Sequence, residues 1–120
     1  MKTNIRHQGG SLTIYSFDRS SIVGELSDGE WIEETSDGGV NYVLRGLASE
    51  GTLDTVLAIL ESGISSVAYD FVANGQLYQG NAMMLKPVAA AAPASTILTI
   101  ESPEAPKPSG QLGISGATAL

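Results

Sequence analysis

The chain has 120 residues, a formal net charge of −7 and no cysteine. This length supports one hydrophobic core. The acidity argues against nucleic-acid binding through a basic patch, and the absence of thiols excludes a disulfide framework or a thiolate metal site. No apolar run approaches the ~20 residues of a membrane-spanning helix, and Met1-Lys2 leads into polar residues rather than the apolar stretch of a secretion signal.

Residues 1–10, polar and carrying Gly9-Gly10, read as an N-terminal arm. Leu12–Phe17 alternates and predicts a strand, and Ile22–Leu26 predicts a second. Ser27-Asp28-Gly29 reads as a turn, Glu30–Glu34 as a short strand holding the only tryptophan, and Ser36-Asp37-Gly38-Gly39 as another turn. Val40–Arg45 is a strand with Val40, Tyr42 and Leu44 on one face. A helix is predicted over Thr52–Ser62. Leu53, Val56, Leu57 and Leu60 form one apolar stripe at i, i+3, i+4 and i+7, with Thr52 as its cap and Gly63 as its stop.

After Gly63 the period becomes two. Val67, Tyr69, Phe71 and Ala73 share one strand face; Ala68, Asp70 and Val72 share the other. Asn74-Gly75 predicts a type I′ turn, whose two central residues need positive φ. Gln76–Leu85 is the return strand, bent or bulged near Gly80. Val88–Ala94 is a small-residue connector, and Ala94–Glu101 a further strand. Beyond it, Ser102–Leu120 is rich in Pro and Gly and lacks the apolar mass to offset ordering entropy. This tail is expected to be ordered only by neighbouring subunits. Seven candidate strands and one helix predict a mainly β fold, an antiparallel β-sandwich or partly closed barrel with the helix flanking it. The domain spans residues 11–101, between an arm at 1–10 and a tail at 102–120.

No segment carries a recognisable reaction centre. His7 is the only histidine, and an arm offers it neither an orienting partner nor a pocket. Glu33 and Glu34 are adjacent, so a strand points them to opposite faces, which does not suit a glycosidase pair. Asp28-Gly29-Glu30 and Ser36–Gly39 are reminiscent of calcium loops but lack the spaced carboxylates and closing Glu of an EF-hand; incidental Ca²⁺ binding stays open. Gly9-Gly10 and Gly38-Gly39 lack the Lys or the following helix that would cradle a phosphate. The reading is therefore a protein that is not an enzyme and uses no cofactor or metal.

Charge distribution is more informative. Between Ser20 and Leu85 the only cation is Arg45, while the thirteen residues Glu25–Asp37 hold six carboxylates. Such a segment is either a solvated acidic face or a surface that repels polyanions or binds a basic partner. Met83 and Met84 are adjacent, so at least one faces away from the domain core. It is covered either by the helix or by a second subunit, where Met is favoured.

The order of elements from Val40 to Lys107 resembles the tail tube proteins of long-tailed bacteriophages and the related tubes of contractile injection systems. The helix Thr52–Glu61, the hairpin Val67–Tyr78 and the closing strand Ser95–Ile100 before Pro103 carry the likeness. The resemblance implies a structural virion protein, six copies to a ring, with stacked rings forming a conduit for DNA in the tail after synthesis in the host cytoplasm. It further implies a homo-oligomer that meets sheath, terminator or baseplate proteins, touches DNA only as passing cargo and needs no membrane. Glu25, Asp28, Glu30, Glu33, Glu34 and Asp70 are the candidate lumen-facing acids, and Met83 and Met84 the candidate subunit interface. The alternative is an acidic binding module, such as a capsid decoration, baseplate or neck protein.

Overall fold

The computed structural model describes residues 2–84, 88–89 and 96–111. Its elements run β1 (Lys2–Ser16), β2 (Ile22–Ser36), β3 (Gly39–Ala48), α1 (Glu50–Glu61), β4 (Ser66–Ala73), β5 (Gln76–Met84), β6 (Val88–Ala89), β7 (Thr96–Ser102) and β8 (Lys107–Gln111). All the pairings are antiparallel. The mainly β class with one helix is as the sequence predicts; a two-sheet sandwich is not what forms. Strands β7, β3, β2, β1, β4 and β5 follow one another in a single sheet, and β5 pairs back to β7. The result is a closed six-stranded barrel.

Closure follows from long strands that bend. β1 and β2 have fifteen residues each, and their register shifts between Ile5 and His7, His7 and Gly10, Gly10 and Leu12, and Ile14 and Tyr15. Bulges of this kind increase twist and curl a sheet onto itself. Ser27-Asp28-Gly29, expected as a turn, is one of these bends inside a continuous β2. Asp28 takes φ 51° there, and the β2–β3 register shifts between Ser27 and Glu30. Pairing on both flanks holds the strand together across the irregular residue. At the same level Gly10 is required: a β-carbon there would lie 2.7 Å from the Phe71 ring.

The seam is a broken ladder. Met83 and Met84 of β5 oppose Glu101 and Ile100 of β7, Gln79 opposes Lys107 of β8, and Val88 of β6 opposes Ile97. Thus β5 and β6 both pair with β7, and β8, separated from β7 by residues 103–106, pairs with β5. Part of the predicted tail is therefore structure: Ser102 ends β7 and is buried, and Lys107–Gln111 pairs with β5. Residues 112–120 lie outside the described residues. The predicted arm is also structure, because Lys2–Ile5 pairs with Ile32–Thr35. A polar composition concealed both strands, since each is exposed and gains its order from backbone pairing rather than burial.

The barrel interior holds Leu12, Ile14, Leu26, Leu44, Val67, Tyr69, Phe71, Leu98 and Ile100. The hairpin turn is as predicted, with Asn74 at φ 54° and Gly75 at φ 77°. The helix closes one end. Its cap is Ser49, whose Oγ accepts from the Thr52 N–H, so Thr52 is not the cap. Its C-terminus is a full Schellman motif: Gly63 at φ 89° donates to Leu60 O, and Ile64 donates to Ile59 O. The inward stripe is rotated from the predicted one. Val56 is fully buried and Ile59 and Leu60 pack beside it, while Leu57 is 39% exposed. A run that is apolar at positions 53, 56, 57, 59 and 60 fits two neighbouring stripes, and docking on the barrel end selects the one centred on Val56.

Candidate assembly interface

Beyond the level of Gly10 the barrel continues as a three-stranded extension made of the start of β1, the end of β2 and the start of β3, with its tip at Asp37-Gly38. β4 pairs with β1 only from Ser11 onward. Among the described residues, no strand pairs with the other edge of β1 from Lys2 to Gly10. Four rings lie at the root of this extension. The His7 ring stacks on Trp31 at 5.2 Å and lies 5.6 Å from Tyr78, and Trp31 meets Tyr78 edge-on at 5.0 Å. Phe71 completes the group, 6.3 Å from Trp31. The Arg6 guanidinium lies 5.4 Å from the Trp31 ring centre, a cation–π distance. This cluster covers the barrel end opposite the helix and anchors the first strand. Sequence reasoning missed it because the pairing of His7 with Trp31 depends on the bulges. Its one legible signal was the inward position of Phe71.

The acidic residues fall into two groups. Glu30 accepts from Arg45 Nε at 2.8 Å and from Gln8 Nε2 at 3.1 Å; the Arg45 hydrogen bond holds its carboxyl below the usual range, against the opposing effect of burial. Glu33 lies 3.7 Å from Arg6 on the Trp31 face of β2. Asp70 accepts from Arg19 at 2.9 Å, Gln79 at 2.9 Å and Tyr15 at 3.1 Å. These three carboxylates serve the subunit's own wall. Glu25 and Asp28 are exposed, and Glu34 is half-buried between Thr3 and Asn41 on the face shared with Glu30. Glu25, Asp28 and Glu34 form no ion pair among the described residues, and they project away from the barrel core. Met83 is also outward, 56% exposed and opposite Ser66 and Glu101. Met84 pairs with Ile100 through its backbone, and its side chain lies outside the described residues. Among the described residues, no group of three or more His, Asp or Glu side chains could hold a metal ion, and no helix is long and apolar enough to cross a membrane.

Asp18 organises the β1–β2 turn. It accepts from Ser20 Oγ at 2.6 Å, Ser20 N–H at 3.0 Å and Ser16 Oγ at 2.9 Å, which lowers its pKa to about 2. Folding thus lowers the pKa of both Asp18 and Glu30. Their contribution to stability is complete above the unfolded carboxylate range near pH ~4 and is lost as pH falls toward ~2. Melting temperatures measured from pH 5 down to 2.5 should fall, and Asp18→Asn should flatten part of that fall.

Tyr69 is the large polar side chain of the interior. Its hydroxyl is buried, has no hydrogen-bond partner among the described residues and lies over Gly80, where a β-carbon would come within 2.6 Å of it. Burial pushes its pKa well above the usual phenol range. An unpaired buried hydroxyl costs about 1–3 kcal/mol. Tyr69→Phe is therefore expected to raise the melting temperature by a few degrees; a fall would mean that the hydroxyl finds a partner at the seam.

The fold and these surfaces define a closed antiparallel barrel with an open strand edge among the described residues. Comparison with family models, curated proteins and solved structures finds no match.

Proposed function

We propose that this chain is a structural subunit that self-associates edge to edge, and specifically a tail tube subunit of the long-tailed phage type. In this reading six copies form a ring and stacked rings make the conduit for DNA in the virion tail. The free edge of β1 from Lys2 to Gly10 carries the reading. An exposed edge of unpaired N–H and C=O groups is a template for a further strand, and monomeric proteins commonly blunt such edges with charge, proline or cover. Here the edge lies on an extension held out by aromatic packing, with Ile5 exposed upon it. The acids Glu25, Asp28 and Glu34, which form no ion pair among the described residues, support the conduit role, since repeated negative charge disfavours binding of a phosphate backbone. Screening over a Debye length of about 8 Å makes that effect collective.

Sizing of the purified chain combined with negative-stain microscopy tests the proposal. Rings or tubes are expected, and Ile5→Lys should abolish them without lowering the melting temperature. A chain that remains monomeric at every concentration overturns the proposal. A small oligomer that binds a basic partner or a capsid shell would instead identify a decoration or neck protein.

A further inference from the structure

An apolar groove lies at the helix-closed end of the barrel. It has a volume of about 540 Å³ and is lined by Phe17, Ile22, Val23, Ile59, Ile64 and Val67, among others. Three of these are open to solvent to an unusual degree: Phe17 and Ile22 at 60% and Ile64 at 53%. Exposed apolar surface gathered in one concavity marks a contact site. The groove is also well built. The Asp18 turn forms one rim, and the Schellman end of the helix places Ile64 on the other.

The chain supplies a matching segment. Residues 112–120 follow β8, carry Leu112, Ile114 and Leu120, and have no charged side chain to be desolvated in an apolar site. Their point of departure decides whose groove they reach. Gln111 opposes Gln76, which opposes Ala73 at the far end of β4, whereas Ser66 and Val67 at the near end of β4 line the groove. Eight strand residues at about 3.3 Å each separate the two ends by ~25 Å. Ile114 is three residues beyond Gln111 and extends at most ~10 Å. Leu112 and Ile114 therefore cannot enter the groove of their own barrel. In a second copy stacked in the same direction, the groove faces the end from which they leave.

We infer that the segment after Gln111 of one copy seats Leu112 and Ile114 in the groove between the helix and the β1–β2 turn of the next copy. The contact is head-to-tail, so it joins the two ends of the barrel and propagates along one axis. This inference rests on the subunit reading above, but it uses a different surface from the β1 edge.

Two full-length variants test it. Ile114→Asp disables the segment, and Ile64→Asp disables the groove at an exposed position. Each alone should raise the concentration needed for axial assembly by at least about tenfold, the loss of one buried apolar anchor. Mixed together, each carrying Ile5→Lys so that the β1 edge cannot join copies, they should form one-to-one pairs and nothing longer, because the first retains a groove and the second a segment. Phe17→Asp should repeat the behaviour of Ile64→Asp should the latter melt early. Variants that assemble like the parent chain, or a mixture that stays monomeric, overturn the inference; a monomeric mixture would place the segment against its own barrel. Assembly retained in both variants sinks this contact alone and leaves the edge-joined subunit standing. A parent chain that never assembles overturns both.

Discussion

Phe71→Ala is expected to be the most destabilising conservative truncation in the chain. The ring is fully buried, lies against Gly10 and Gly29, and stands between Trp31, Tyr78 and His7. Removing it takes away the transfer free energy of a large aromatic and leaves a cavity that the wall cannot readily fill, because β1 is paired with β4 from Ser11 onward and β2 is held between β1 and β3. Phe→Ala at such a site costs about 3–5 kcal/mol, a large part of the 5–15 kcal/mol that roughly bounds a domain's stability. The melting temperature should fall by about 10 °C or more. The loss should be felt beyond the core: with its support gone, the root of the three-stranded extension should open, and amide exchange at His7 and Trp31 should accelerate before global unfolding. A melt unchanged by this substitution would mean that the aromatic cluster does not cover the barrel end.

The second large effect separates two neighbouring helix positions. Val56→Asp places a carboxylate at a site with no exposure, on the helix face that plugs the barrel. An uncompensated buried charge either costs several kcal/mol or titrates to its neutral form. The helix should detach, and the protein should lose cooperative melting at neutral pH and regain part of it in mild acid, where the aspartate protonates. Leu57→Asp, one residue along, should change stability by less than about 1 kcal/mol, because the side chain is already substantially solvated. The reverse ranking would show that Leu57, and not Val56, faces the barrel. Thermal melts at pH 7 and pH 5 for the two variants decide between them.

The contrast between Val56 and Leu57 also shows the reach of sequence reasoning. The helix, its stop at Gly63, the Asn74-Gly75 hairpin and the inward face of Val67, Tyr69, Phe71 and Ala73 were legible in the sequence. Each is set by local chemistry: a 3.6-residue or two-residue period, a positive φ that glycine or asparagine accepts, or a turn that tolerates only a few residues. Which apolar stripe the helix buries was not legible, because two overlapping stripes satisfy the same period. Likewise, Lys2–Ile5 and Lys107–Gln111 show no apolar periodicity and become strands only because β2 and β5 offer them backbone partners.

The candidate surfaces divide along the same line. The acidity of Glu25–Asp37, and that at least one of Met83 and Met84 faces outward, are visible in the residues themselves; that Met83 does so is read from the structure. The pairing of Glu30 with Arg45, Glu33 with Arg6 and Asp70 with Arg19 depends on register across strands, and register depends on bulges that no spacing rule anticipates. The sequence alone determined a mainly β, acidic domain with one helix. The tertiary structure decided that the sheet closes into a barrel, which edge it leaves open and which end it leaves apolar. Those outcomes arise from pairings between residues distant in the chain, where backbone hydrogen bonds and shape complementarity outweigh local preference.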